Sequence, residues 1–352
     1  MKGLLKYLSP FAPDQSGAAS VLYDLGGITV ICDAGGCTGN ICGFDEPRWF
    51  IKKSAIFSAG LRDMDAILGR DDRLVDKLKD TAQKVDAGFA AIIGTPVPAV
   101  IATDYRALTR MAEKRCELPV IAIECTGTRL YDEGEEETYL ALFQKFARAD
   151  VTVEKGTVGV LGMTPLDISK AHGEEELREK LSKKGFNKIY SYGMGSGLEA
   201  VKLAKTVEKN IVVSPAGLKA AEYLQGKFGT PYEVSYPFLS EEVKEKLHSL
   251  VGKKVLVVHQ QAAANEIRKE ILSSGEADVT AAAWFLQKES LRHEGDFTLD
   301  TEEQWIHMVC QGNYDVIVGD QMLKRPLKAY QGEWIHVPHF AVSGECEDEQ
   351  RR

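Results

Sequence analysis

Short, continuously apolar runs alternate with longer amphipathic ones from one end of the chain to the other. The apolar runs fall at 27–33, 55–60, 89–95, 119–125, 158–162, 188–193, 211–214, 254–260, 278–284, 315–320 and 334–339. Most are uniformly apolar rather than alternating, as expected of parallel strands covered on both faces. Between them the period lengthens to that of helices. Over 71–87, Leu74, Leu78, Ala82 and Val85 form one stripe opposite Lys and Asp. Pro98 opens a predicted helix over 98–115, and Gly185, Gly229 and Gly275 stand where helices should stop. Repeated strand–helix units with short connections predict an α/β protein with parallel sheets.

One sheet of eleven strands is less compatible with ordinary domain size than several smaller ones. Breaks in the pattern at 150–157 and 251–253 predict three Rossmann-like units, 1–150, 151–250 and 251–352. In such sheets ligands bind at the C-terminal ends of the strands.

With 352 residues, 44% hydrophobic and 27% charged, the composition is that of an ordinary globular protein. The net charge of −9, with no basic patch, argues against nucleic acid as a partner. The N-terminal run is too short and too soon broken by Pro10 and Asp14 to read as a signal peptide, and no run is long enough to cross a bilayer. A cytoplasmic location is the expectation, and there clustered cysteines read first as metal-binding or catalytic.

Three of the seven cysteines lie in the stretch CDAGGCTGNICGFDEPRW, residues 32–49, with the spacing C-x4-C-x4-C. Cys32 ends a strand, and Cys37 and Cys42 follow in a glycine-rich loop. Cys125 ends another strand, so all four thiols are placed to meet at one sheet edge. Thiolates suit zinc or an iron–sulfur cluster, and the close C-x2-C pairs usual for structural zinc are missing. The metal candidates are therefore Cys32, Cys37, Cys42 and Cys125. Asp33 is a candidate hard ligand or proton relay, and His259 a candidate proton donor at the end of its strand. The plain alternative is that Cys32 and Cys125 are small core residues. The turn GMGSG, 193–197, reads as a strand-to-helix turn or a small-anion site, and the acidic run DEGEEE, 132–137, as a solvated helix start.

The order of the motifs resembles the nitrogenase component 1 family, which includes the MoFe-protein subunits, the dark-operative protochlorophyllide reductase subunits and the reductive cyclase of F430 synthesis. SPFAPDQSGAASVLYDLGGITVICDAGGCTGN (9–40) resembles the family's opening, with Gly36–Cys37 at its glycine–cysteine turn. AAIIGTPVPAVIATDY, PVIAIECTGTR, KFGTPYEV and NYDVIVGDQMLK resemble later segments in the same order. Two of the three usual cysteine positions hold Pro13 and Pro96 instead.

The resemblance implies a nitrogenase component 1-like fold and an electron-transfer enzyme component working as a homodimer or as a heterodimer with a related chain. It implies an iron–sulfur cluster, 4Fe–4S or larger, with Gly36, Asn40, Arg48, Thr126 and Gly127 around it and Arg48 offsetting its negative charge. A separate ATP-dependent iron–sulfur reductase would supply electrons to a small-molecule substrate in a cleft between the units. The alternatives are a scaffold or carrier for a metallocofactor, and a cluster-free protein binding a small anion at GMGSG.

Overall fold

In the computed structural model, which describes residues 5–348, the strands form three sheets, all of whose pairings are parallel. The first holds β1 (Ile28–Ile31), β2 (Ile56–Ser58), β3 (Ala90–Ile93) and β4 (Val120–Ile123) in the order β2-β1-β3-β4. The second holds β5 (Thr157–Leu161), β6 (Lys188–Ser191), β7 (Lys209–Val212) and β8 (Tyr232–Val234) in the order β6-β5-β7-β8. The third holds β9 (Lys254–Val258), β10 (Asp278–Ala283), β11 (Phe297–Thr298), β12 (Val316–Gly319) and β13 (Glu333–His336) in the order β11-β10-β9-β12-β13. These are Rossmann-like orders, in which the chain reverses direction across the sheet between β1 and β3, β5 and β7, and β9 and β12.

Every apolar run of the sequence contains or overlaps a strand. The central strands β1, β3 and β12 are buried at each position, because helices cover both faces of each sheet. The first sheet divides its side chains between two cores. Ile28, Val30 and Cys32 join Leu74, Val75 and Leu78 of the helix Asp71–Ala82 on one face. Ile31, Ile93, Ile123 and Cys125 join the helices Asp14–Leu22 and Tyr131–Phe146 on the other. That second core runs on into β5 and β7 through Leu161 and Val212. A further core joins the second and third sheets through Val160, Val213, Val257 and Val318.

The helices Asp14–Leu22 and Tyr131–Phe146 approach closely through two glycines. A Cβ at Gly17 would stand 1.9 Å from the Tyr131 carbonyl oxygen, and one at Gly134 would stand 1.9 Å from that of Asp14. Three expectations are corrected. The single helix over 98–115 is two, Pro96–Val100 and Tyr105–Cys116. Ala102 turns into the left-handed region at φ 54°, and Asp104 caps the second helix through the Arg106 and Ala107 amides. The helix begun at Asp71 ends at Ala82, before Val85. The run 132–137 is not solvated: Asp132 and Glu135 are buried.

Candidate functional site

The turn after β1 is built around Asp33. Its carboxylate accepts from the Thr38 amide at 2.7 Å, the Thr38 hydroxyl at 3.0 Å and the Ser58 hydroxyl at 2.6 Å. These bonds fold residues 33–38 back on the strand end and open the short helix Gly36–Asn40 that carries Cys37. Gly35 takes the turn at φ 122°, a conformation that strongly favours glycine. Gly36 has open space where a Cβ would stand. Asp33 thus shapes the turn and holds Cys37 in place.

Cys37 is half-buried and lies beside Thr95, the residue that leads out of β3, whose hydroxyl donates to the Cys32 carbonyl at 2.7 Å. It therefore sits at the reversal point of the first sheet, between β1 and β3, where ligands of this architecture bind. Burial raises its thiol pKa, as does Asp33 beside it, while the nearby Thr95 hydroxyl opposes the rise. Cys42 is also half-buried, in the π-helical turn Ile41–Asp45. Burial raises its thiol pKa too, against the pull of Lys53.

The other two cysteines lie apart. Cys32 and Cys125 are each at most 2% exposed, in cores on opposite faces of the first sheet. Alternation along a strand puts them there, and convergence at one sheet edge does not overcome it. Burial pushes the Cys32 thiol up to about 12, and that of Cys125 well above its ordinary value. Among the described residues, no group of three or more His, Cys, Asp and Glu is placed to hold a metal ion. A four-thiol iron–sulfur site therefore does not fit one chain taken alone. Cys37 and Cys42 are the two thiols of the motif with access to solvent.

Arg48 is turned inward. Its guanidinium donates to both oxygens of Glu46 at 2.7 Å and to Asp24 at 3.0 Å. It also donates to the carbonyls of Ser20, at 2.7 Å, and Gly193, at 3.0 Å. All five N–H groups are thereby used. Burial works against the charge, but Glu46 and Asp24 outweigh it and raise the Arg48 pKa. Arg48 ties the cysteine motif to the second sheet through the 193–197 turn and keeps no donor for a cofactor. The same turn has little room for a small anion, because the Gly195 amide already donates to Asp24 at 3.1 Å.

Asp14, which no motif in the sequence marks, organises the loop after β4. Its buried carboxylate accepts from the amides of Thr126 and Gly127, each at 2.8 Å, and from Arg129 Nε at 3.1 Å. Gly127, at φ 72°, lies against Pro96, where a Cβ would stand 2.5 Å from the proline Cγ. Asn40 bonds to Asp45 at 2.7 Å. Asn40 and Gly127 line one cavity of about 740 Å³ together with Pro13, Asp45, Phe50 and Ser343.

Phe50 and Ser343 also border a larger cleft of about 1450 Å³. Its lining includes His172 beyond the second sheet's β5 and Asp320, Lys324 and Arg325 beyond β12. All three sheets therefore contribute segments to it. His259, the proposed proton donor, does not reach it. Its Nε2 lies 3.1 Å from the Pro338 carbonyl and its Nδ1 accepts from the Gln260 amide at 2.9 Å. Burial lowers its pKa to about 4, so it is neutral.

The exposed apolar side chains are concentrated in the part of the chain that builds the first sheet. Ten of the fifteen large hydrophobic side chains exposed among the described residues lie between Phe44 and Ile101, with Val100 at 86% and Phe44 at 75%. They sit within β2 or on segments flanking or following β1, β2 and β3, and those three strands are parallel neighbours.

Three parallel sheets around a common cleft, with a glycine–cysteine turn at the reversal point of the first, define the class of protein. Residues 16–328 match the family model described as nitrogenase component 1 type oxidoreductase. The chain belongs to that family. In structure it is similar to nitrogenase Cp1 solved at pH 6.5, with a TM-score of 0.72 and 11% identity over 96% of this chain and 87% of that one. The same protein at pH 5 gives 0.71 and 13% over 98% and 86%. No curated protein matches in sequence. Among the described residues, no helix is long and apolar enough to cross a membrane.

Proposed function

We propose that the protein is one subunit of a reductase in which two such chains, identical or related, hold an iron–sulfur cluster between them. Cys37 is the principal ligand and Cys42 the second, each chain supplying half of a thiolate set. The observation that carries this reading is the placement of Cys37, half-buried at the reversal point of the first sheet beside the exposed apolar face. A lone soluble chain rarely leaves such a face open, and a partner chain would cover it. Pro13 and Pro96 remove the other thiols usual in the family, which is why the set is completed from a second chain.

The cluster, when bound, supplies one-electron transfer at low potential. The rest falls to this chain's own side chains. Asp33 fixes the Cys37 turn, Gly36 leaves room for close approach, and Asp14 fixes the loop carrying Thr126 and Gly127. The cleft between the three sheets receives the small-molecule substrate, with His172 on its wall to supply protons. A separate ATP-dependent iron–sulfur reductase supplies the electrons, as in the family at large. A cytoplasmic setting suits its reduced thiols.

The test is to purify the protein without oxygen, reduce it with a low-potential one-electron donor, and record its electron paramagnetic resonance. A cluster signal that appears on reduction and is absent in Cys37→Ala supports the proposal. A protein that stays silent and colourless after anaerobic reconstitution with iron and sulfide refutes it. A second reading, a carrier that holds a metallocofactor in transit, also suits the half-set of thiols. In that case the cluster passes to an acceptor protein on mixing and does not turn over.

A further inference from the structure

Where the three sheets meet, the interior is polar. Glu135 on the helix Tyr131–Phe146 and Asp167 on the helical turn Pro165–Ile168 are both fully buried. The two carboxyls are in hydrogen-bonding contact. Each has one oxygen engaged elsewhere. Glu135 Oε1 accepts from the Thr164 hydroxyl at 2.6 Å, and Asp167 Oδ1 from the Tyr131 hydroxyl at 2.9 Å. The remaining two, Glu135 Oε2 and Asp167 Oδ2, are buried with no donor in hydrogen-bonding geometry, and the hydroxyls of Ser214 and Thr164 beside Asp167 favour its carboxylate as the proton's acceptor.

Two carboxylate oxygens cannot satisfy one another unless a proton lies between them. Two adjacent buried anions with no counter-charge would be far costlier than a shared proton. We infer that Glu135 and Asp167 share one proton, and that this proton holds the three units together, so that its loss at alkaline pH loosens their junction.

Every group facing the pair is neutral or acidic. Tyr131, Asp132 and Tyr139 face it from the long helix, the Thr164 and Ser214 hydroxyls face Asp167, and Tyr236 donates to the Asp167 carbonyl oxygen at 3.4 Å. His339 lies 2.9 Å from the Tyr131 hydroxyl, and His259 stacks on it with ring centroids 4.4 Å apart. Burial, and for His339 the proximity of His259, keeps both rings neutral. The guanidinium of Arg48 acts on Tyr139 but is spent on Glu46 and Asp24. Nothing positive is therefore at hand to take the proton's place.

The pair also sits where movement would tell. Tyr131 belongs to the first unit, Asp167 to the second and His339 to the third. The His339 amide donates to Asp320 at 2.8 Å, and Ser343 donates to the same oxygen at 2.6 Å. Asp320 and Ser343 line the large cleft. Burial first, and then each other's charge, raise the pKa of Glu135, and burial raises that of Asp167 to about 6. For groups raised in the folded state, the stabilisation is complete below their unfolded values, near 4, and disappears as the pH climbs past the folded ones.

The experiment uses the full chain in an Asp132→Asn background, which silences the other buried carboxyl on that helix. Amide hydrogen exchange is measured at 164–169 and 339–343 at pH 6 and pH 9, corrected for intrinsic rates, with and without Glu135→Gln. The glutamine amide can donate to Asp167 while its oxygen still accepts from Thr164, so it mimics the protonated state. The expected result is exchange about tenfold faster at pH 9 without Glu135→Gln, and no such change with it. Equal pH dependence in the two proteins overturns the inference. Infrared difference spectroscopy at pH 7 gives an independent reading, even if one variant folds poorly. In the same Asp132→Asn background the carbonyl stretch of a protonated carboxyl should be present and should vanish on adding Glu135→Gln, and its absence from the Asp132→Asn protein also overturns the inference.

Discussion

Arg48→Met is the substitution whose cost can be worked most directly from the geometry. Methionine keeps much of the apolar stem and loses all five donors. Glu46, 1% exposed, then retains only the Ser20 hydroxyl at 2.9 Å and the backbone amide of residue 48 at 3.1 Å. Asp24 is better placed, because Lys52 stands 3.8 Å away. The deficit therefore falls chiefly on Glu46, as one buried carboxylate without its counter-charge. Breaking a buried pair in this way costs ~3–5 kcal/mol. Adding Glu46→Gln should return about 2 kcal/mol, because it removes the stranded charge while keeping the hydrogen bonds. The assay is urea unfolding followed by circular dichroism for the parent, both single variants and the double variant, read as a double-mutant cycle. A loss below about 1 kcal/mol for Arg48→Met would place the network among ordinary surface pairs and refute the argument. Iron content per folded chain is the companion measurement. Since every donor of Arg48 is spent inside the protein, the variant should bind as much iron as the parent, and a selective loss would restore Arg48 to the cofactor's surroundings.

Other expectations follow from single contacts. Gly134→Ala would drive a methyl group into the Asp14 carbonyl and should destabilise by ~1–3 kcal/mol in thermal unfolding, with a smaller effect for alanine at the open Gly36. Burial, followed by an opposing hydrogen bond from the Leu286 amide and the charge of Asp167, moves the Asp132 carboxyl from 3.8 to about 7. That difference is worth ~4 kcal/mol, fully stabilising below about pH 4 and lost as the pH rises to 7. Asp132→Asn should therefore flatten the stability profile between pH 5 and 8, and parallel profiles for parent and variant would count against it. Val100→Asp, placed at the most exposed point of the apolar face, should shift the protein from dimer to monomer in sedimentation while leaving the circular dichroism of the folded chain unchanged.

What the sequence reveals and what it hides follow one physical line. Buried parallel strands announce themselves as apolar runs, so the eleven runs lead directly to the sheets. β8 and β11 do not, because they are short edge strands, with exposed positions such as Glu233 and Phe297, and carry no such run. Cys37 and the role of its turn are legible, since a glycine–cysteine pair after a strand has a local cause. The partition of Cys32 and Cys125 is not, because it depends on which face each strand end presents, and that is set by pairing at a distance. Arg48 and Asp33 stand out in the sequence for their chemistry, but their roles are structural and are decided by partners such as Gly193 and Ser58, 145 and 25 residues away. The run 132–137 misleads for the reverse reason. Acids at a helix start are usually solvated, and only the junction of three sheets turns Asp132 and Glu135 inward.

The measurement that bears most directly on the central claim is iron and acid-labile sulfide per chain, on protein purified without oxygen, for the parent, Cys37→Ala and Cys125→Ala. About two irons per chain are expected, that is four per pair of chains, with matching sulfide. The iron should be lost in Cys37→Ala and retained in Cys125→Ala, whose buried thiol serves the core. Iron that survives Cys37→Ala, or no iron in the parent after anaerobic reconstitution, would contradict it.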